Sequence, residues 1–148
     1  MRSHNNTALH PHCSISAETT IKGQKPMDFV YIINVLAMLT TIGLGFAGWL
    51  APRWTMDTLD LKTAGSVMGV SEVRAASGAL FVGVAVAALI INQPLAYAMV
   101  GFVYAGAGTG RLTSLILDQP EGSKAKIFFA TEALIAAWLI AANLPASL

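Results

Sequence analysis

The sequence predicts an all-α protein, a four-helix transmembrane bundle preceded by a disordered N-terminal tail. The chain has 148 residues, of which 55% are hydrophobic and only 11% charged, whereas soluble domains contain about 25% charged residues. Four long apolar runs fill the chain after the tail, and a helix needs about 20 apolar residues to cross a bilayer. Runs such as AVAALII and ALIAAWLIAA lack the polar stripe of a surface helix, which argues against the alternative of a soluble helical bundle.

The tail covers residues 1–26, and the membrane domain covers residues 27–148. The tail is polar, lacks helical periodicity and holds all three histidines and the single cysteine, so we expect disorder there. Met27 is an alternative start, because MDFVYIINVLAML is typical of the beginning of a membrane protein; the tail would then not be translated. His10 and Cys13 resemble metal ligands in composition only, and we expect no metal site and no cofactor.

The four spans are predicted at about residues 30–50, 73–91, 95–117 and 127–144. Pro52 ends the first span, since proline cannot continue a helix interior. Ser71 is a plausible N-cap for the second, and Asn92-Gln93-Pro94 forms a tight turn into the third. Asp118 to Gly122 closes the third span and Pro145 the fourth. The connection between the first two spans is expected to lie on the membrane surface.

Lysine and arginine near the span ends indicate the orientation. The loops 51–72 and 118–126 contain such residues, whereas the turn between spans two and three and the C-terminus contain none. We therefore expect both loops to be cytoplasmic, in a multi-pass protein of the bacterial inner (plasma) membrane. The three basic residues of the tail oppose this orientation, and that objection disappears if Met27 is the start.

The predicted topology brings several charged groups into one leaflet. Arg111 lies six residues inside the third span, about 9 Å deep at 1.5 Å per residue, and Glu132 lies at a similar depth in the fourth. Because unpaired charges in hydrocarbon cost several kcal/mol, we expect Arg111 to pair with Glu132, and Arg74 with Glu72 or Glu132. The candidate site is an intramembrane charge cluster or ligand site, listed in full as Glu72, Arg74, Arg111, Ser114, Asp118 and Glu132. It is open whether this cluster stabilises the fold, binds a ligand or proton, or contacts a partner subunit.

Small residues recur at four-residue spacing in every span, for example at Ala75, Ala79, Gly83 and Ala87 in span two. Gly43, Ala47 and Ala51 in span one and Gly106, Gly110 and Ser114 in span three repeat the pattern. Such spacing lets helix backbones approach closely. It predicts packing within the bundle, with homodimerisation as the alternative.

The segments SEVRAASGALFVG and GRLTSLILDQP, with a glutamate in the last span, resemble a bacterial family of small membrane proteins, domain-of-unknown-function family 4345. The resemblance covers Met27 to about Leu144, and its most specific marks are Glu72-x-Arg74, Gly110-Arg111 and Asp118. It implies a four-helix membrane bundle, distantly DoxX-like, and no established activity. DoxX-like proteins are associated with redox and quinone-linked membrane systems. The family pattern usually has two glycines after the Arg-x-x block, where this chain has Ser77-Gly78.

The sequence contains no catalytic constellation, Walker loop or GxSxG elbow. We therefore expect a non-enzymatic accessory or assembly component of a membrane complex. Its partners would be the lipid bilayer and a membrane protein or second copy; the net charge of +1 gives no indication of nucleic acid. The alternative is a redox-linked DoxX-like protein that binds a quinone or lipid at the charge cluster. A proton pathway would need more polar groups than Asn34, Thr40, Thr41 and Tyr104 provide.

Overall fold

The computed structural model describes residues 29–147, which form helices joined by short connections. The helices are α1 (Phe29–Leu50), α2 (Pro52–Thr58), α3 (Met68–Ile91), α4 (Pro94–Leu117) and α5 (Lys124–Asn143), followed by a 3₁₀ turn (Pro145–Ser147). The predicted tail, the alternative start Met27 and the His10 to Cys13 segment lie outside the described residues. The all-α class is confirmed for the part of the chain that is described.

Three helical segments are long and apolar enough to cross a membrane: α1, α3 and Lys124–Ser147, which contains α5. The fourth long helix, α4, has 24 residues but is not among these three segments, and its glycines, hydroxyl side chains and Arg111 lower its hydropathy. The structure therefore supports a membrane protein with three candidate spans.

Two helices begin before the predicted spans that they contain. Helix α3 begins at Met68 rather than near residue 73, and α5 begins at Lys124 rather than near residue 127. Ser71 lies inside α3 and is not its N-cap; instead the Ser66 hydroxyl accepts a bond from the Met68 amide at 3.3 Å. Polar residues can form the first turn of a helix, so a helix can begin before the apolar run that predicts its span.

The long helices alternate in direction, and this places all described charges at one end of the bundle. Helices α1 and α4 end there, α3 and α5 begin there, and α2 lies beside them. Within residues 29–147, Lys, Arg, Asp and Glu occur only between 53 and 74 and between 111 and 132. We call this end the charged end. The opposite end contains the turn after Asn92, whose left-handed φ of 47° ends α3, and Pro94 begins α4 at a position where its missing N–H costs nothing.

The helices form two closely packed pairs, α1 with α3 and α4 with α5. In the first pair backbone meets backbone: a Cβ added at Gly48 would lie 2.6 Å from the Ser77 oxygen, and one at Gly45 would lie 3.0 Å from the Gly78 oxygen. In the second pair, a Cβ added at Gly101 would lie 2.9 Å from a side-chain atom of Ile140 and 3.0 Å from the Leu139 Cβ. The two pairs meet in a shared core, which comprises Met38, Ala85, Ala88, Tyr97, Val100, Tyr104, Ala136 and Leu139.

A π-helical segment, Val73–Ala79, interrupts α3 next to this close approach. The buried residues of α3 are Val73, Gly78, Val82, Ala85 and Ala88. Their spacing is five residues across the π segment and then four, three and three. The wider turn therefore rotates the start of α3 relative to the rest of the helix, and π-bulges are frequent at functional sites.

Candidate functional site

Arg111 and Glu132 form a bidentate ion pair between α4 and α5. The Arg111 Nε donates to Glu132 Oε2 and its Nη2 donates to Oε1, each at 2.9 Å. The guanidinium carbon also lies 5.2 Å from the centre of the Phe128 ring, within the range of a cation–π interaction. Both carboxylate oxygens are thus engaged by one guanidinium, the geometry that makes such pairs strong and directional.

The pair is only partly shielded. The Arg111 side chain is 31% exposed and that of Glu132 is 15% exposed. Gly108 packs beside Glu132, since a Cβ added at Gly108 would meet the Glu132 Cβ at 3.7 Å, an ordinary van der Waals distance. Glu132 lies eight residues after Lys124, so the pair lies about 12 Å from the start of α5. It is therefore the deepest charged group of the charged end.

Arg74 does not join this pair. Its side chain lies in the π segment of α3 and donates from Nη1 to the main-chain carbonyl oxygen of Trp49. That carbonyl belongs to the last turn of α1, where carbonyls lack partners within the helix and a cation is favoured by the helix dipole. The expected pairing of Arg74 with Glu72 or Glu132 was wrong, because Arg74 caps α1 instead.

The other members of the predicted cluster are separate. Glu72 and Asp118 are exposed and Ser114 is partly buried. Within residues 29–147, none of their side chains makes a hydrogen bond or ion pair with another side chain. The Ser114 carbonyl accepts the amides of Asp118 and Gln119 at 2.8 and 3.1 Å, which ends α4. The predicted six-residue cluster is therefore one ion pair, one helix cap and three separate residues, of which Glu72 and Asp118 are exposed.

A buried amide pair at the opposite end was missed by the sequence analysis. Asn34 Nδ2 donates to Asn143 Oδ1 at 2.6 Å, and Asn143 Nδ2 donates to Asn34 Oδ1 at 3.2 Å and to the Leu139 carbonyl at 2.9 Å. The Trp138 indole Nε1 also donates to Asn34 Oδ1 at 3.3 Å. Both asparagines are 2% exposed, and they join α1 to α5. An available signal was that each is the single amide of its helix.

A second neutral bond joins the helix pairs midway along the bundle. The Thr41 and Tyr104 hydroxyls lie 2.8 Å apart, and Thr41 also donates to the Ala37 carbonyl at 2.8 Å. The Tyr104 ring packs on Phe81, with ring centres 5.7 Å apart. In α1 the buried residues Asn34, Met38, Thr41, Gly45 and Gly48 repeat every three or four positions, so this polar contact and the amide pair share one helix face.

No group of His, Cys, Asp or Glu within residues 29–147 has the arrangement needed to hold a metal ion. The arrangement that does exist can neutralise charge, cap helices and hold helices in register. A polar ligand could reach the exposed part of Arg111, whereas both carboxylate oxygens of Glu132 are already bonded.

One protein family matches the chain. The family model is described as a domain of unknown function (DUF4345) and matches residues 29–143, which include all four long helices and every candidate site residue. No curated protein and no solved structure matches the chain.

Proposed function

The chain belongs to the DUF4345 family, and from this premise we propose that it is a bacterial inner-membrane protein that crosses the bilayer four times. It acts as a non-enzymatic accessory or assembly component of a membrane complex. The observation that carries this proposal is that the deepest charges are bonded within the chain: Arg111 to Glu132 and Arg74 to a helix carbonyl. Charges that are bonded within the chain stabilise the bundle. Contacts with lipid and with a partner would then be made by the outer surface of the helices.

The length and position of α4 support the fourth span. With 24 residues it is about 36 Å long, enough for a hydrocarbon core of about 30 Å. A short turn joins it to α3, and it packs extensively along α5. A helix that joins one candidate span through a short turn and packs along another supports the proposal of a fourth span.

The distribution of basic residues supports the orientation. All lysines and arginines of residues 29–147 lie at the charged end, and positive residues flank the cytoplasmic ends of membrane helices. We therefore propose that the loops 51–72 and 118–126 face the cytoplasm. Cysteine scanning with a membrane-impermeant thiol reagent tests this: labelling of intact cells at the Asn92–Gln93 turn, but not at the two loops, would be expected.

Native mass spectrometry of the protein, extracted from its own membrane in mild detergent, tests the accessory role. A co-purifying membrane protein is expected and would identify the complex. A mass of two identical chains would indicate homodimerisation instead. A single chain without any bound protein would contradict the proposal.

A second candidate is a redox-linked DoxX-like protein that binds a quinone or lipid at the charge cluster. The partial exposure of Arg111 and Glu132 favours it, because polar atoms of a ligand could reach the guanidinium from the side. If this second candidate is correct, native mass spectrometry should show a single chain that retains a small molecule.

The substitution Glu132→Gln distinguishes a structural role from a ligand site. If the pair stabilises the fold, the neutral amide leaves Arg111 without its counter-charge. The free energy of unfolding should then fall by about 1–2 kcal/mol, a value reduced from that of a fully buried pair because Arg111 is partly exposed. If the pair is a ligand site, the protein should remain stable and lose the retained molecule.

Glu121→Gln is the matched control, because Glu121 is an exposed acid in the loop between α4 and α5. Stability in detergent and abundance in the membrane should be unchanged in this variant. If Glu132→Gln also leaves stability, abundance and bound molecules unchanged, both roles of Glu132 are refuted.

A further inference from the structure

A groove at the charged end, between α2 and the start of α3, has the composition of a lipid headgroup site. Its volume is about 660 Å³, within the range of small-molecule sites. The polar side of its lining comprises Arg53, Asp57, Lys62, Thr63 and Ser66. Two cations, one acid and two hydroxyls would complement a ligand that carries negative charge and hydrogen-bond acceptors.

The cations of the groove are available for such a ligand. Within residues 29–147 there are two ion pairs, Arg111–Glu132 and Lys124–Asp60, and neither includes Arg53 or Lys62. Both side chains are exposed. The lining contains one acid, Asp57, which can balance the charge of only one of the two cations. The groove therefore keeps a net positive charge.

The other side of the groove is apolar. Met56, Leu61, Val67 and Val70 line it; Val67 is 77% exposed and Leu61 is 46% exposed. Trp54, which follows Arg53 in α2, is also exposed, and tryptophan is enriched at the membrane interface. A soluble anion would gain nothing from this apolar side, whereas a lipid would use both sides at once.

The surrounding helices shape the groove. Asp60, with a left-handed φ of 58°, is held by Lys124 of α5, whose Nζ lies 2.8 Å from its carboxylate and 3.4 Å from the Thr58 carbonyl oxygen. Gly65, with a φ of 80° and open space around it, turns the loop back towards α3. The groove therefore lies at the charged end, where the candidate span α1 ends and the candidate span α3 begins, and the ends of membrane-spanning helices meet the headgroups.

We propose that this groove binds the headgroup of an anionic phospholipid, with Arg53 and Lys62 on the phosphate and the apolar side against the upper acyl chain. Each cation near a membrane surface strengthens binding of anionic lipid about fivefold. The proposal concerns a site separate from the Arg111–Glu132 pair and does not depend on the proposed accessory role.

The test uses the full chain in phosphatidylcholine nanodiscs that contain increasing fractions of brominated phosphatidylglycerol. Quenching of tryptophan fluorescence, to which the exposed Trp54 of α2 contributes, gives the mole fraction at half-saturation. Lys62→Gln should raise that fraction about fivefold, and Arg53→Gln should do the same. Lys126→Gln is the matched control: it removes the same charge from an exposed lysine at the same end but outside the groove, and should change the fraction less than twofold.

Three results would overturn the proposal. Equal shifts for Lys62→Gln and Lys126→Gln would show a diffuse surface charge rather than a site. Equal quenching by brominated phosphatidylcholine would show that the headgroup charge is not recognised. Loss of quenching on addition of millimolar inorganic phosphate would assign the groove to a soluble anion. The melting temperature of each variant is measured alongside, and Arg53→Gln provides the test if Lys62→Gln unfolds.

Discussion

The contact between α1 and α3 at Gly78 gives the sharpest prediction for the fold that positions Arg74. A Cβ added at Gly78 would lie 2.5 Å from the Trp49 amide nitrogen and 2.7 Å from the Trp49 Cα. Carbon atoms in favourable contact are about 3.5–4.0 Å apart, so Gly78→Ala must separate the two helix backbones by about 1 Å. Neither neighbour is a side-chain atom that could rotate away.

The expected cost follows from two opposing terms. Overpacking a well-packed core costs about 1–3 kcal/mol, whereas alanine stabilises a helix interior by about 0.5–1 kcal/mol relative to glycine. We therefore expect Gly78→Ala to lower the free energy of unfolding by about 1–2 kcal/mol. The displaced Trp49 carbonyl would also lose its bond from Arg74, which adds to the loss.

Gly83→Ala is the matched control, because Gly83 lies on the same helix with no other atom within 4 Å of an added Cβ. Its stability should be unchanged or up to about 1 kcal/mol higher. Thermal unfolding in detergent, followed by tryptophan fluorescence, compares the two variants directly. If Gly78→Ala unfolds at the same temperature as Gly83→Ala or above it, the close approach of the two backbones is refuted.

Two further predictions concern the neutral contacts between the helix pairs, and both are measured by the same unfolding assay. Asn34→Leu and Asn143→Leu should each cost about 1 kcal/mol, and the double variant should lose less than the sum because no unpaired amide is left behind; additive losses would contradict the pairing. Tyr104→Phe should cost only about 0.5–1 kcal/mol, because the Thr41 hydroxyl keeps its bond to the Ala37 carbonyl; a loss above about 2 kcal/mol would show that the tyrosine hydroxyl has another role.

The sequence was sufficient to predict helices and the pairing of Arg111 with Glu132. Apolar runs without a polar stripe predict membrane helices, and alternating direction places those two residues at a similar depth. It was not sufficient for Arg74, because the partner of that residue is a main-chain carbonyl at the end of α1. Every residue has a carbonyl, so no sequence pattern marks the one that is left unbonded and within reach.

The glycines that make close contacts were also not predictable from spacing alone. The four-residue stripes singled out Gly43, Gly83, Gly106 and Gly110, and all four have open space around them. The close contacts occur at Gly45, Gly48, Gly78 and Gly101 instead. Which face of a helix points inward depends on its rotation, and in α3 the π segment changes that rotation within one turn. In α1 the buried face is marked by residues that repeat every three or four positions, among them the polar Asn34 and Thr41.

The kind of bond differs within and between the helix pairs. The deep charged contacts lie within pairs, since Arg111–Glu132 joins α4 to α5 and Arg74 joins α3 to α1. The neutral contacts, Asn34–Asn143 and Thr41–Tyr104, join one pair to the other. Neutral bonds cost less to bury than charges, which suits them to the shared core.

The charged end is consequently the weaker end of the contact between the pairs. Among the polar contacts of residues 29–147, only the Lys124 bonds cross between the two sides at this end, and they reach the Thr58 carbonyl of α2 and Asp60 in the loop after it rather than α1 or α3. The side chains of the ion pair are 59% and 70% exposed, and such surface pairs contribute about 0–1 kcal/mol. Separation of the pairs is therefore resisted least at the charged end, where the partly exposed Arg111 and the groove beside α2 both lie. A lipid or partner helix that inserts between the pairs should do so from this end.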